Sequence, residues 1–122
     1  MIMKQSKITI ANKLLETLAD NGGLSKKEQW ELYKLRLALR PRIDFQREQE
    51  DIIRSKYQEF ADEKGELVGK KADDFVKEMK SIGDLDVEIE GLTKPQIKMT
   101  DGITFKIIEP LEEFVEFLPP EE

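Results

Sequence analysis

The sequence predicts a single α+β domain, in which a long helix kinked near Pro41 and several shorter helices pack on a small antiparallel sheet. The chain has 122 residues, which is the size of one domain. A helix-start motif at Ser25 opens a long helical pattern, and apolar and acidic residues alternate strictly over residues 84–90. We therefore expect a helical part over residues 8–82, a small sheet over 84–108 and an acidic amphipathic helix over 109–118.

The first helix is predicted over residues 8–21. Its apolar residues recur at helical spacing: Ala11, Leu14, Leu15 and Leu18. Because Ile8, Thr9 and Ile10 are all β-branched, a strand remains an alternative at the start. Two glycines at 22–23 end the segment, since glycine readily adopts positive φ.

The second helix is predicted to begin after Ser25, because Ser25 and Glu28 form a capping box. The helical pattern then continues to Phe60, about 54 Å at 1.5 Å per residue, while a compact protein of this length measures only about 35 Å across. We expect its densest core contacts from a broad apolar stripe: Trp30, Leu32, Tyr33, Leu35, Leu37 and Leu39.

Pro41 interrupts the hydrogen bonding of this helix, since proline has no backbone N–H. Neither Gly nor Asn lies nearby to make a reversal, so a kinked and protruding helical arm is favoured over an antiparallel turn. The second half of the arm is polar, and we expect a partner or a neighbouring helix to hold it.

A third helix is predicted over residues 71–82, after a turn region over 62–70 in which Leu67 and Val68 could form one side of a small hairpin. Three strands are predicted to follow, over 85–89, 96–99 and 103–108, and an Asp-Gly turn precedes the last of them. Together they would form an antiparallel meander.

Composition excludes several chemistries. The chain has no Cys and no His, so it has no disulfide, thiolate nucleophile, imidazole base or His-ligated metal. We expect a non-enzymatic protein without a cofactor. No apolar run is long enough to span a bilayer and the N-terminus has no signal-peptide core, so a cytoplasmic location is expected.

The net charge of −6 is concentrated at the C-terminal end. Residues 109–122 hold six acids and no base, and residues 1–108 hold 20 of each. A neutral body gives little electrostatic reason to bind nucleic acid. The basic side chains along the arm are interspersed with acids, which favours a mixed solvated surface over a phosphate-binding stripe: Lys34, Arg36, Arg40, Arg42, Arg47 and Arg54.

Four carboxylates lie on one side of the first predicted strand: Asp84, Asp86, Glu88 and Glu90. Clustered oxygens suit a divalent cation. Residues two apart along a strand are separated by nearly 7 Å, however, so the solvated face of a half-buried strand is the favoured interpretation.

The predicted C-terminal helix carries one apolar stripe and several acids: Leu111, Phe114, Val115 and Leu118, with Glu112, Glu113 and Glu116. Docking of this stripe on its own domain is favoured over insertion into a groove of another protein. These seven residues, with Arg40, Arg47 and Arg54, are the candidates for partner binding.

The order of several segments resembles a family of small proteins encoded by tailed phages and prophages of Gram-positive bacteria. The segments that carry the resemblance are residues 30–35, Arg40-Pro41, 52–57, 63–66, 75–79 and 87–90. The resemblance implies a phage accessory protein, an assembly factor or virion-associated component that acts by binding a protein or a second copy of itself. The alternatives are an acidic inhibitor that imitates nucleic acid to a host nuclease or defence protein, and a divalent-metal enzyme that uses the strand carboxylates.

Overall fold

The computed structural model describes residues 1–120 and has an α+β fold with one long helix, as predicted. The main elements, in chain order, are β1 (Ile2–Lys4), α1 (Gln5–Asn21), α2 (Lys26–Tyr57), α3 (Gly69–Gly83), β2 (Asp86–Glu88), β3 (Gln96–Lys98), α4 (Phe105–Leu111) and β4 (Glu116–Leu118). A single 3-10 turn, Gln58–Phe60, follows α2.

Helix α1 begins at Gln5, three residues before its predicted start, so the alternative of a strand over residues 8–10 is wrong. Ile8, Leu15 and Leu18 are fully buried on one side of the helix. The helical period brings these side chains to the same face, and that face packs against α2. Burial at this spacing outweighs the strand preference of the β-branched residues.

The predicted capping box at the start of α2 is confirmed. The Ser25 backbone N–H donates to Glu28 Oε1 at 3.0 Å, and the Glu28 N–H donates to Ser25 Oγ at 3.2 Å. Helix α2 then runs for 32 residues and continues through Pro41, which excludes a reversal there. The kink itself stays a prediction.

Only half of the predicted apolar stripe of α2 lies in the core. Leu32, Leu35 and Leu39 are buried, as expected, and pack with α1 and the strands. The expectation that Trp30, Tyr33 and Leu37 also belong to the core is wrong, because all three are exposed. The reason is geometric: the neighbouring elements cover one side of α2, and these three residues lie on the other side.

The distal half of α2 is held by a neighbouring helix, one of the two expected possibilities. Lys56 Nζ lies 2.6 Å from Glu78 Oε1 on α3, and the Tyr57 ring meets the Phe75 ring edge-on at 5.6 Å. A turn joins the two helices, in which Asp62 Oδ1 accepts the backbone N–H of Lys64. No strand forms at residues 67–68, so the predicted small hairpin is wrong. We call residues 44–83 the distal hairpin.

The predicted antiparallel meander over residues 84–108 is also wrong. In residues 1–120 there are two separate two-stranded sheets: β1 pairs antiparallel with β2, with Met3 opposite Val87, and β3 pairs parallel with β4, with Ile97 opposite Phe117. The two strands that form within the predicted meander, β2 and β3, therefore pair with segments outside it. The central residues of β2 and β3, Val87 and Ile97, are both buried.

The segment predicted as the third strand, residues 103–108, contributes to α4 instead. Ile107 and Ile108 are both partly buried and pack on the same core as Leu111, which is a helical and not an alternating arrangement. Phe105 faces solvent.

The predicted C-terminal helix over 109–118 is wrong in its bounds, because α4 ends at Leu111 and the chain turns before it enters β4. The favoured docking of this segment on its own domain is confirmed for Leu111, Phe114 and Val115, all of them buried in the main core. Leu118 is partly buried in β4.

Candidate functional site

The C-terminal residues expected to bind a partner are used within the protein itself. Glu113 pairs with Lys7 on α1, and Gln96 Nε2 donates to Glu116 Oε2 at 3.0 Å across the parallel sheet. Lys94 Nζ donates to the backbone oxygen of Glu112 at 3.0 Å. Since Leu111, Phe114 and Val115 are buried as well, this segment offers a partner only its outer acids.

The three candidate arginines on α2 do not form a continuous basic stripe. Arg54 lies 3.1 Å from both Glu50 and Asp51 on its own helix. Arg40 and Arg47 line one small cavity of about 190 Å³, and Asp44 lies in the same lining. Acids thus accompany these cations, as the mixed-surface interpretation predicted.

The four strand carboxylates point into solvent and do not converge. Asp86 lies 2.8 Å from Lys4 Nζ, and hydrogen bonding to this carboxylate raises the pKa of Lys4. Across the part of the chain that the structure describes, no group of three or more acidic side chains lies close enough together to hold a metal ion.

The sequence interpretation missed an exposed aromatic surface on α2. Trp30, Tyr33 and Leu37 are 58%, 46% and 38% exposed, and the two rings stack with centroids 5.6 Å apart at 30°. We call these three residues the aromatic face. Their spacing indicated only an apolar row, and a second row has the same spacing: Leu32, Leu35 and Leu39. The position of α1 against that second row decides which of the two is buried.

The aromatic face is flanked by cations. The exposed basic side chains of the first half of α2 are Lys26, Lys27, Lys34 and Arg40. The two acids in that half face away from it or are neutralised: Glu28 accepts the Lys98 N–H at 2.9 Å, and Glu31 pairs with Lys34 at 2.9 Å. Beyond Pro41 the same side of the helix becomes acidic, with exposed Asp44, Glu48 and Asp51. We call this whole side, residues 26–55, the outer face of α2.

Glu28 connects the start of α2 to the parallel sheet. Burial raises the pKa of its carboxyl. Hydrogen bonds from the Ser25 and Lys98 backbone N–H groups lower this pKa by more than burial raises it, so the net pKa lies below the ordinary value of 4.5. The carboxylate is therefore charged at neutral pH and fixes the helix start beside β3.

A mostly apolar cavity of about 680 Å³ opens in the distal hairpin. Its walls include Tyr57, Leu67, Phe75 and Val76, and Asp51 and Ser55 of the outer face also line it. Val76 and the neighbouring Ile52 are largely exposed. We call this opening the distal cavity; its volume is in the range of sites that receive a ligand or a large side chain.

The outer face and the distal cavity together offer an uncovered surface with stacked rings, charges of both signs and an apolar opening.

Of the helices in residues 1–120, none is both long and apolar enough to cross a membrane. In comparisons with protein-family models, with curated proteins and with solved structures, no match was found.

Proposed function

We propose that this protein is a non-enzymatic binding protein that contacts another protein chain through the aromatic face of α2. One observation carries the proposal: Trp30 and Tyr33 form a stacked pair that nothing else within residues 1–120 covers. Tryptophan, tyrosine and arginine supply most of the binding energy at protein interfaces, and contiguous exposed apolar surface is typical of interaction sites.

The setting that we propose is a phage or prophage, with action in the cytoplasm of the bacterial host as an assembly factor or virion-associated component. Its support is the resemblance of the segments at 30–35, 52–57 and 75–79 to that family. The genes adjacent to this one test the setting, since an assembly factor is expected among genes for virion structure.

Capture of partners from a lysate tests the use of the aromatic face. Full-length protein is immobilised and exposed to a lysate of the bacterium that carries the gene, beside the double variant Trp30→Ser, Tyr33→Ser. We expect a defined protein to bind the natural chain and to be lost with the variant. The matched control is Phe105→Ser, which removes an aromatic ring that is also exposed but lies on α4.

Binding is then measured directly with the purified partner. Trp30 is the only tryptophan of the chain, so its fluorescence reports on this face alone. We expect a blue shift and protection from iodide quenching when the partner binds, because the ring leaves water. Equal capture by the natural chain and the double variant would contradict the proposal.

The alternative of an acidic inhibitor is less well supported by the structure. Two of its acids are already paired, Asp86 with Lys4 and Glu113 with Lys7, and its two acidic segments belong to different sheets. Charge reversal of the exposed Glu112 and Glu116 tests it: this alternative requires loss of nuclease inhibition, and the aromatic-face proposal expects no effect on partner binding.

A further inference from the structure

The outer face of α2 is complementary to itself. On the other sides of its second half, α2 also carries four exposed bases, placed there by helical phase: Arg42, Arg47, Arg54 and Lys56. On the outer face itself the exposed charges are basic before Pro41, the middle of the helix, and acidic after it. Five of these charges have no ion pair within residues 1–120: Lys26, Lys27, Arg40, Asp44 and Glu48. A surface of this kind can satisfy its charges by meeting an inverted copy of itself.

The geometry points to a second copy of this chain as the occupant: two α2 helices pack antiparallel through their outer faces, basic half against acidic half. The inference rests on the proposed function and names its partner. The two copies are related by a twofold axis near Pro41, so every contact occurs twice.

Antiparallel overlap also brings the aromatic face to the distal cavity. When two helices spanning residues 26–57 overlap along their full length, Trp30 of one copy lies beside residues 51–55 of the other. Asp51 and Ser55 line the distal cavity. The exposed rings and the open apolar cavity are left uncovered by the described part of one chain, and they thus meet between two chains.

The aromatic face and the distal cavity also lie on matching flanks of the two α2 helices. Tyr33 and Asp51 are separated by about five helical turns, so both lie on the same flank of α2. A twofold axis keeps that flank of both helices on one side of the dimer. Tyr33 therefore approaches the flank of the second copy where its distal cavity opens.

The size of the contact predicts a weak dimer. Helix α2 is about 48 Å long and about 10 Å wide, so two copies bury about 1,000 Å² in total through this face. That area is at the lower limit for specific interfaces, which indicates a reversible association. Because much of the complementarity is ionic and exposed, added salt is expected to weaken it.

Charge-reversal variants test the pairing of the two halves. The first variant carries Lys26→Glu and Lys34→Glu, so both halves of its outer face are acidic. The second carries Asp44→Lys and Glu48→Lys, so both halves are basic. Sedimentation from about 5 to about 200 µM should show a dimer of the natural chain, a monomer for each variant alone and a heterodimer in their mixture.

The contribution of the rings is tested separately. Trp30→Ala and Val76→Lys are each expected to raise the dissociation constant about tenfold or more, since one removes the inserted ring and the other blocks the cavity wall. Both residues are exposed in the single chain, so folding is expected to be unchanged, and circular dichroism checks this. Phe105→Ala is the control, with an unchanged dissociation constant expected.

Cysteine cross-linking tests the orientation, because the natural chain has no Cys. Pro41→Cys places a thiol beside the twofold axis, where two copies can form a disulfide across antiparallel helices. Lys26→Cys places it at one end of the helix, where two thiols meet only if the helices are parallel. We expect rapid oxidation to a covalent dimer with Pro41→Cys and none with Lys26→Cys.

Three results would overturn the inference: a natural chain that stays monomeric over the whole concentration range, a mixture of the two charge variants that does not associate, or cross-linking through position 26 instead of 41. A monomer that still loses its captured partner through Trp30→Ser, Tyr33→Ser would refute only the dimer. The proposed function would then stand, so failure of one is distinguishable from failure of the other.

Discussion

Leu32 and Leu37 are the same residue type on the same helix, but Leu32 has no exposed surface and Leu37 is 38% exposed. Leu32 belongs to the main core. We expect Leu32→Ala to lower the free energy of unfolding by about 2–5 kcal/mol, and Leu37→Ala by less than about 0.5 kcal/mol. Urea denaturation of the two variants measures this, and similar losses would show that the rows of α2 are misassigned.

Sequence periodicity identified two apolar rows on α2 but did not show which of the two another element covers. Residues at helical spacing form a buried row only where another element lies against them, and that element comes from elsewhere in the chain. Both rows satisfied the same spacing, so Trp30 and Tyr33 could not be separated from Leu32 and Leu35 without the position of α1.

Glu28 provides a pH-dependent contribution to stability. Its pKa is lower in the folded protein than the unfolded value of 4.5, so this stabilisation is fully present above that pH and is lost as the pH falls through the folded pKa. Glu28→Gln is expected to cost about 1 kcal/mol at pH 7. The cost should shrink at pH 3, and urea midpoints at the two pH values measure the difference.

A cost of Glu28→Gln that is the same at pH 3 and pH 7 would contradict this assignment. Glu31→Gln is the matched control, since this acid lies on the same turn and makes one exposed pair with Lys34. Pairs of that kind contribute little, so its effect at both pH values should be small.

Gly102 is required by a close approach between two parts of the fold. A Cβ at this position would lie 2.5 Å from the backbone oxygen of Asn21, at the end of α1. Gly102→Ala is therefore expected to lower the free energy of unfolding by about 1–3 kcal/mol, because backbone atoms must move apart. Thermal or urea unfolding checks this, and Lys106→Ala, an exposed position on the helix that follows, is the control that is expected to change stability little.

The Asp-Gly signal at 101–102 was thus informative for a different reason than the one predicted. A turn does form, since the Ile103 N–H donates to the Thr100 oxygen at 3.1 Å. It leads into helix α4 and not into a hairpin. The glycine is needed because Asn21, 81 positions earlier in the chain, packs against the turn, and no local pattern reveals that contact.

Among the helices, α2 contains the clearest conflict between local preference and structure. Pro41 lies inside α2 and cannot donate to the Leu37 oxygen. Because its side chain is exposed, Pro41→Ala should restore this hydrogen bond without disturbing the core. The free energy of unfolding is expected to rise by about 1–3 kcal/mol.

Urea denaturation measures the effect of Pro41→Ala, with Arg40→Ala as a neighbouring exposed control that is expected to change little. A loss of stability would show that proline suits a bend of the helix axis at this point. That outcome would support the kink predicted from the sequence.

Helix α2 was predictable because its signals are local, and the strands were not. The capping box, the long period and the polar distal half all lie within one continuous segment. The strand pairs, in contrast, join residues 2–4 to 86–88 and residues 96–98 to 116–118. Strands were predicted at two of these places, β2 and β3, but each is only three residues long, and pairing over such separations is set by the whole fold.

The molecule as a whole is divided between a main core and the distal hairpin. The main core includes residues of α1, the first half of α2, the strands and α4, and neither buried residue of the distal hairpin belongs to it. Within residues 44–83 only Tyr57 and Ile82 are buried. Stability is therefore expected to be unevenly distributed.

Hydrogen exchange at low micromolar concentration tests this division. Backbone amides of α3 are expected to exchange at least about tenfold faster than those in the centre of α1, since fewer buried contacts must open. Mass spectrometry of peptides from the two helices gives the comparison. Equal protection of both helices would mean that the hairpin and the core unfold as one unit.

Helices α2 and α3 run antiparallel beyond the core, so the length by which the distal hairpin projects depends on the lengths of these two helices. Two equal insertions of seven residues, one in each helix, would extend the hairpin by about 10 Å while almost preserving the direction of every side chain. The packing of Leu15, Leu32 and Phe114 would not change. The distance between tip and base is thus governed by helix length alone, so this architecture can serve as a molecular spacer.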